Sequence, residues 1–150
     1  MLRRTWIDYE VDVHAGAEEL GQLLGDLDGW PAWTPGLLRI ERVDEGPVRV
    51  GLRFRMVVRL GKGPTLTLPC EVYTWEARRL EWGGGFVGGK VRHFFEIEPL
   101  GAEQSRVRQV EYATGVLALV AWPFEAHCHA HDRGWSDALV ERFMGRAGSI

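Results

Sequence analysis

A change in the spacing of apolar residues is the feature that most constrains how this chain can fold. Between residues 37 and 115 the apolar side chains recur mainly at every second position, in six segments separated by glycine and proline, which predicts a meander of β-strands. Residues 5–13 show the same alternation and predict an earlier strand. Residues 16–27 and the chain from Val116 onward have the spacing of amphipathic helices. We therefore expect an α+β fold, with an antiparallel sheet of about seven strands and a long C-terminal helix.

The segment after the first helix predicts a second short element. Residues 28–35 cannot continue that helix, because Pro31 and Pro35 lack a backbone donor and restrict the residues before them. We expect a compact turn or short helix that carries Trp30 and Trp33. Aromatic residues in a proline-rich turn more often pack against neighbouring helices than gate a ligand entrance, so packing is the favoured interpretation.

Length, charge and targeting signals limit the class of protein. The 150 residues have a length typical of one domain, which we expect to span residues 1–150. A formal net charge of −3 and the interleaving of arginines with acids argue against nucleic-acid binding. No apolar run approaches the about 20 residues of a membrane helix, and the N-terminus lacks the apolar core of a signal peptide. We expect a cytoplasmic protein without membrane insertion, with Cys70 and Cys128 as reduced thiols.

The charges on the outer face of the first long hairpin suggest its alignment. A five-residue turn over residues 61–65 places Arg55 opposite Glu71 on the outside. The same alignment places Met56 opposite Cys70 on the inside. Because residues two apart lie on one side of a strand, the interior face of this hairpin is predicted to be apolar.

The second long hairpin brings polar residues to the interior. A turn over residues 100–104 gives favourable charge pairs outside and sets Phe95 opposite Gln109 and His93 opposite Glu111 inside. A carboxylate beside an imidazole can hold its tautomer and raise its pKa, which suits general acid–base catalysis. His93 and Glu111 are therefore the candidate catalytic residues. The alternative is a polar patch at the mouth of a cavity, whose groups either anchor a ligand or hydrogen-bond only to one another.

Several short motifs, taken in order, resemble one superfamily over nearly the whole chain. They are Asp26-x-x-Gly-Trp-Pro-x-Trp-x-Pro35, Leu80-x-Trp82, His93-x-Phe95, Glu111-x-x-x-Gly115 and Gly134-Trp135. Together with the element order, they resemble the START-like (SRPBCC) superfamily in its polyketide cyclase/dehydrase-like branch. The resemblance implies a helix-grip fold, in which a curved sheet wraps around the long C-terminal helix and an apolar cavity lies between them. It does not imply one reaction, because a fold does not fix a function.

The first functional hypothesis is binding of a hydrophobic small molecule, such as a lipid, an aromatic compound or a polyketide, without a cofactor. The second is a cyclase or dehydratase in which His93 and Glu111 transfer protons. The third is binding of a protein partner through the exposed sheet face or loop aromatics, and a homodimer is also allowed. The residues expected to bind the small molecule are Trp33, Phe54, Met56, Val58, Cys70, Val72, Trp82, Phe95, Gln109, Phe124, His131 and Trp135.

Two further motifs have competing interpretations. His127, His129 and His131 have helical spacings that can share a metal ion, but third and fourth ligands are missing and His129 points elsewhere, so we expect no metal. His131 is expected to face the cavity, with His127 near its rim. The glycines of residues 83–89 lack the lysine and helix of a phosphate loop, and they predict a mobile hairpin loop with Phe86 at its tip.

Overall fold

Seven antiparallel strands form one curved sheet in the computed structural model, which describes residues 2–59, 61–120, 123 and 125–145. The strands are β1 (Arg3–Val13), β2 (Leu37–Arg42), β3 (Arg53–Arg59), β4 (Thr65–Glu76), β5 (Arg79–Phe86), β6 (Gly89–Gly101) and β7 (Gln104–Gly115). Their spatial order is β1-β7-β6-β5-β4-β3-β2, so β2 to β7 form the predicted meander and β1 joins it beside β7.

Two helical pieces follow β1, and two further helices follow β7. Helix α1 (Ala17–Gly25) is followed by a 3-10 helix (Leu27–Ala32). Helices α2 (Leu117–Val120) and α3 (Glu125–Met144) come after the last strand. Pro31 lies inside the 3-10 helix. The predicted α+β architecture is confirmed, and a short helix α2 precedes the long helix α3. No helix among the described residues is long and apolar enough to span a membrane.

The β6–β7 register is the predicted one, and it places His93 opposite Glu111. The predicted β3–β4 register is wrong by two residues, since Cys70 pairs with Phe54 and Met56 pairs with Leu68. Thr65, which was predicted to lie in the turn, pairs with Arg59. A shift of two residues leaves every side chain on its predicted face.

The prediction of a mobile loop over residues 83–89 is wrong. Strand β5 continues to Phe86 and β6 begins at Gly89, so the connection is a two-residue turn of Val87 and Gly88. The glycines allow this close pairing, because a Cβ at Gly83 would clash with the carbonyl oxygen of Val91. Gly88 has a φ of +87°, which glycine adopts without strain.

Trp30 lies at the centre of the core, where it is fully buried. Its indole ring packs against the rings of Phe54, Trp75, Trp82 and Trp135, with centroids 4.7 to 6.3 Å away. Its N–H donates a 2.8 Å hydrogen bond to a backbone carbonyl at the end of α1. The 3-10 helix therefore attaches α1 to both the sheet and α3, and it fills one end of the space between them.

Candidate functional site

A cavity of about 280 Å³ lies between the sheet and helix α3, beside the core packed around Trp30. Its wall is mainly apolar, and most strands as well as α2 and α3 contribute to it. Eight of the site residues predicted from the sequence lie on this wall: Met56, Val58, Cys70, Trp82, His93, Glu111, His131 and Trp135. Its other lining residues are Trp6, Leu66, Leu68, Pro69, Gly83, Gly84, Val91, Leu117, Cys128 and Asp132.

Five other predicted ligand-binding residues do not line the cavity. Phe54, Val72 and Phe95 are buried in the main hydrophobic core, because the end of the sheet that carries them is filled by side chains from the first two helical pieces. Trp33 is half-buried and packs edge-on against Trp135. Gln109 is fully buried outside the cavity wall. A sixth, Phe124, lies outside the described residues.

A chain of polar contacts leads from the protein interior to the cavity. The Ser136 hydroxyl donates to Gln109 Oε1 at 2.5 Å, and Gln109 Nε2 donates to His93 Nε2 at 2.8 Å. Since His93 Nε2 accepts this bond, the imidazole proton is on Nδ1, which lies 3.3 Å from Glu111 Oε2. The Glu111 carboxyl group is in turn hydrogen-bonded to Asp132. The imidazole is also stacked on Trp82, with ring centroids 4.4 Å apart.

Asp132 and Ser136 are the functional candidates that the sequence prediction missed. Asp132 is only 2 % exposed and lines the cavity, although a charged residue on a helix is usually exposed. Asp132 follows Cys128 by four residues and precedes Ser136 by four, so the three lie along one face of α3. That spacing is the sequence signal that could have identified them.

Burial controls the charges in this polar cluster. It lowers the pKa of His93 to about 3, and the neighbouring His131 contributes a smaller lowering. Burial also raises the pKa of Glu111 and raises that of Asp132 well above its usual range, with the nearby Glu111 charge adding to the second shift. At neutral pH the imidazole is therefore neutral, and burial favours the protonated form of both carboxyl groups.

The two cysteines on the cavity wall have the character of thiols. The pKa of Cys70 and the pKa of Cys128 are each raised to about 12, mainly because the two side chains are buried. Because the thiolate is the reactive form of cysteine, neither side chain is suited to act as a nucleophile. The chemistry available to a bound molecule comes from the His93, Glu111 and Asp132 side chains.

The three histidines of α3 do not converge on one point. His131 lines the cavity and accepts a 3.3 Å hydrogen bond from the Trp135 indole N–H, while a ring nitrogen of His129 contacts the Trp6 backbone carbonyl oxygen. His127 is exposed and lines a separate groove with residues that include His131. Among the described residues, the ligand atoms that do converge belong to His93, Glu111 and Asp132, and they lie within 4.8 Å of one another.

Replacing Asp132 with asparagine is expected to change how stability depends on pH. A carboxyl group with a raised folded pKa stabilises the fold below its unfolded pKa, and this stabilisation is lost as pH rises through the folded value. Asparagine cannot ionise. Between the unfolded and the folded pKa of Asp132, the Asp132→Asn variant should therefore gain stability relative to the wild-type protein by about 1.4 kcal/mol per pH unit. Urea unfolding at about pH 5 and about pH 8 measures this difference.

The control is Leu139→Val, a change at a fully buried position on the same helix. This substitution removes no titratable group, so its effect on the free energy of unfolding should be the same at both pH values. A pH-independent effect of Asp132→Asn would contradict a raised pKa for the Asp132 carboxyl group.

The comparisons with known proteins agree with the architecture. Residues 4–147 match a family model described as polyketide cyclase / dehydrase and lipid transport. A START superfamily protein from Mycobacterium smegmatis is similar in structure, with a TM-score of 0.75, 17% identity, and coverage of 93% of this chain and 97% of that one. None of the curated protein sequences matches.

Two solved enzymes have similar structures. The Zhui aromatase/cyclase from Streptomyces sp. R1128 has a TM-score of 0.72 and 18% identity, with 97% of this chain and 94% of that one covered. Norcoclaurine synthase from Thalictrum flavum, solved with dopamine and hydroxybenzaldehyde, has a TM-score of 0.68 and 15% identity, with 95% of this chain and 87% of that one covered. At these identities the similarity confirms the predicted fold and leaves the function to be argued from the site.

Proposed function

The chain belongs to the polyketide cyclase/dehydrase and lipid transport family, and we propose that it binds a hydrophobic small molecule in the cavity between the sheet and helix α3. The observation that carries this proposal is a mainly apolar cavity with one polar cluster on its wall. Ligand sites commonly combine an apolar lining with a few convergent polar groups in this way.

The volume of the cavity limits the size of the molecule. An engineered cavity of about 150 Å³ in another protein holds benzene, and the cavity here is about 280 Å³. This volume suits a molecule of roughly two fused aromatic rings or an aliphatic chain of similar bulk. Apolar side chains on the wall, among them Met56, Leu68 and Val91, offer contacts for such a molecule.

The polar cluster favours a molecule that carries a hydrogen-bond donor at one end. The Oδ2 atom of Asp132 is buried and has no hydrogen-bond partner among the described residues. A buried carboxyl oxygen without a partner is costly, and a ligand hydroxyl group would remove that cost. We therefore infer an amphipathic ligand, with its apolar body against the apolar wall of the cavity and its hydroxyl group at Asp132.

Filling the cavity is expected to abolish binding. 2-Naphthol has two fused rings and one hydroxyl group, so we expect calorimetry to detect its binding to the wild-type protein. Cys70→Trp places a large ring in the cavity and should weaken binding by at least about ten-fold, which corresponds to about 1.4 kcal/mol. Leu100→Trp adds the same side chain at an exposed position and should leave the affinity unchanged.

The outcomes of this titration separate the hypotheses. Unchanged affinity in a folded Cys70→Trp variant would place the bound molecule outside the cavity. Failure of 2-naphthol and of a panel of hydroxylated one- and two-ring compounds to bind the wild-type protein would overturn the proposal. Native mass spectrometry of the purified protein would also identify a small molecule that is retained through purification.

Proton-transfer catalysis of the cyclase or dehydratase type is the second candidate function. The observation that favours it is the continuous polar chain from Ser136 to the carboxyl pair at the cavity wall. Because both ring nitrogens of His93 are engaged, Glu111 and Asp132 are the groups placed to exchange a proton with a bound molecule. In this hypothesis His93 is a positioning residue that orients Glu111. Recovery of a panel compound with water eliminated or a new ring formed would support catalysis, whereas unchanged recovery would support binding alone.

A further inference from the structure

Three side chains from three different elements meet at the inner wall of the cavity. His93 comes from β6, Glu111 from β7 and Asp132 from α3, and their nitrogen and oxygen ligand atoms lie within 4.8 Å of one another. We propose that these three residues form a binding site for a divalent transition-metal ion of the Zn²⁺ type. The geometry of this site does not depend on the identity of the hydrophobic ligand.

The chemical nature and spacing of the three groups suit such an ion. Imidazole nitrogen and carboxylate oxygen atoms are both established ligands of Zn²⁺ and related ions. Metal–ligand bonds of about 2.0–2.2 Å in a tetrahedral site put neighbouring ligand atoms roughly 3.4 Å apart. His93 Nδ1 and Glu111 Oε2 are already 3.3 Å apart. All three ligand atoms lie within 4.8 Å of one another, so a bound ion has to draw the more distant ones closer by about 1 Å.

Burial supplies an independent argument for a cation at this position. Asp132 is only 2 % exposed, and its Oδ2 atom has no hydrogen-bond partner among the described residues. Two carboxylates in an apolar cavity are unfavourable unless their charge is balanced. A divalent ion would balance both charges and also provide a partner for the unpaired oxygen of Asp132.

The surroundings of His93 match those of a metal-binding histidine. In such a histidine, the ring nitrogen that does not bind the metal usually makes a hydrogen bond to a neighbouring group. This hydrogen bond fixes the orientation of the ring. Here Gln109 occupies His93 Nε2 at 2.8 Å, and Ser136 holds Gln109 in turn. If a metal binds Nδ1, the imidazole proton is on Nε2. The Gln109 amide can then turn over, so that its oxygen accepts from His93 Nε2 and its nitrogen donates to the Ser136 hydroxyl group.

The position of the site leaves room for a further ligand. The three residues all line the cavity of about 280 Å³, so the remaining coordination positions face its interior. Three protein ligands with an open position are typical of zinc sites that interact with a substrate. A hydroxyl or carbonyl oxygen of the bound small molecule could therefore complete the coordination.

Metal titration of the chelator-treated protein tests this proposal. We expect one Zn²⁺ ion to bind per chain in calorimetry and to raise the melting temperature, and we expect Co²⁺ to give a visible absorption band at the same stoichiometry. Asp132→Asn and Glu111→Gln should each weaken binding by at least about ten-fold, and Gln109→Ala should weaken it by about 10–100-fold. If one carboxyl variant does not fold, the other provides the measurement.

The matched control removes histidines that are close in sequence but outside the proposed site. The double variant His127→Ala/His129→Ala should bind Zn²⁺ as tightly as the wild-type protein. Loss of binding in this control, with binding retained in Asp132→Asn, would identify an adventitious surface ion only and overturn the proposal. Equal affinity in all variants, or no Zn²⁺ effect on the wild-type melting temperature, would also overturn it. Binding of 2-naphthol to the chelator-treated protein would uphold the binding function even if the metal site fails.

Discussion

Replacing Trp30 with alanine is expected to lower the free energy of unfolding by about 3–5 kcal/mol, the range for large aromatic truncations in a packed core. The ring is fully buried and contacts aromatic residues of the sheet and of α3. Removing it leaves a void that several rigid elements would have to move to fill. The hydrogen bond from its indole N–H to the Leu24 carbonyl oxygen is lost as well. Equilibrium unfolding in urea measures the change.

Two matched variants separate the contributions of the Trp30 side chain. Trp30→Phe keeps an aromatic ring but removes the indole donor, and it should cost less than the alanine variant. Trp33→Ala removes the same type of side chain from a half-buried position, so it should also cost less. If Trp30→Ala were no more destabilising than Trp33→Ala, the role of Trp30 as the centre of the core would be wrong.

Replacing Gln109 with leucine is expected to destabilise the protein by about 2–6 kcal/mol, because each of two buried polar groups loses its partner at about 1–3 kcal/mol. Leucine has a similar size but offers neither a donor nor an acceptor. The Ser136 hydroxyl group would lose its acceptor and His93 Nε2 would lose its donor. Urea unfolding measures the loss, and the position is fully buried, so water cannot easily replace either bond.

A double-mutant cycle tests the origin of this loss. Ser136→Ala alone leaves the Gln109 oxygen without its donor, whereas the double variant Gln109→Leu/Ser136→Ala leaves only His93 without a partner. The double variant should therefore be more stable than the sum of the two single effects predicts, by about 1 kcal/mol or more. Additive effects would mean that the two side chains do not form one network.

The two long hairpins show how far register can be derived from sequence. The β6–β7 alignment was predicted correctly, because a short turn and repeated outward charge pairs such as Glu98 with Arg106 agree on one register. In β3–β4 the outer arginines alternate, so Glu71 can face either Arg53 or Arg55 with similar charge complementarity. The structure pairs it with Arg53. Two registers that differ by two residues have the same inside and outside faces, so sequence pattern alone could not distinguish them.

The candidate site was predicted less completely than the fold. Strand parity correctly placed Phe54 and Phe95 inside, but it could not show that the Trp30 core fills that end of the space and leaves the cavity at the other. Asp132 was missed because a charged residue on a helix is usually exposed. Its burial becomes understandable only when Glu111 and His93 are seen opposite it in three dimensions.

The pairing of β1 with β7 determines when the sheet can be completed during synthesis. The meander from β2 to β7 joins strands that are neighbours in sequence. Within the described part of the chain, β1 pairs only with β7, for example Asp8 with Val110. Contacts that close such a long loop form slowly compared with local hairpins. On the ribosome, β1 emerges before β7 and must therefore wait for it before gaining its hydrogen-bonding neighbour.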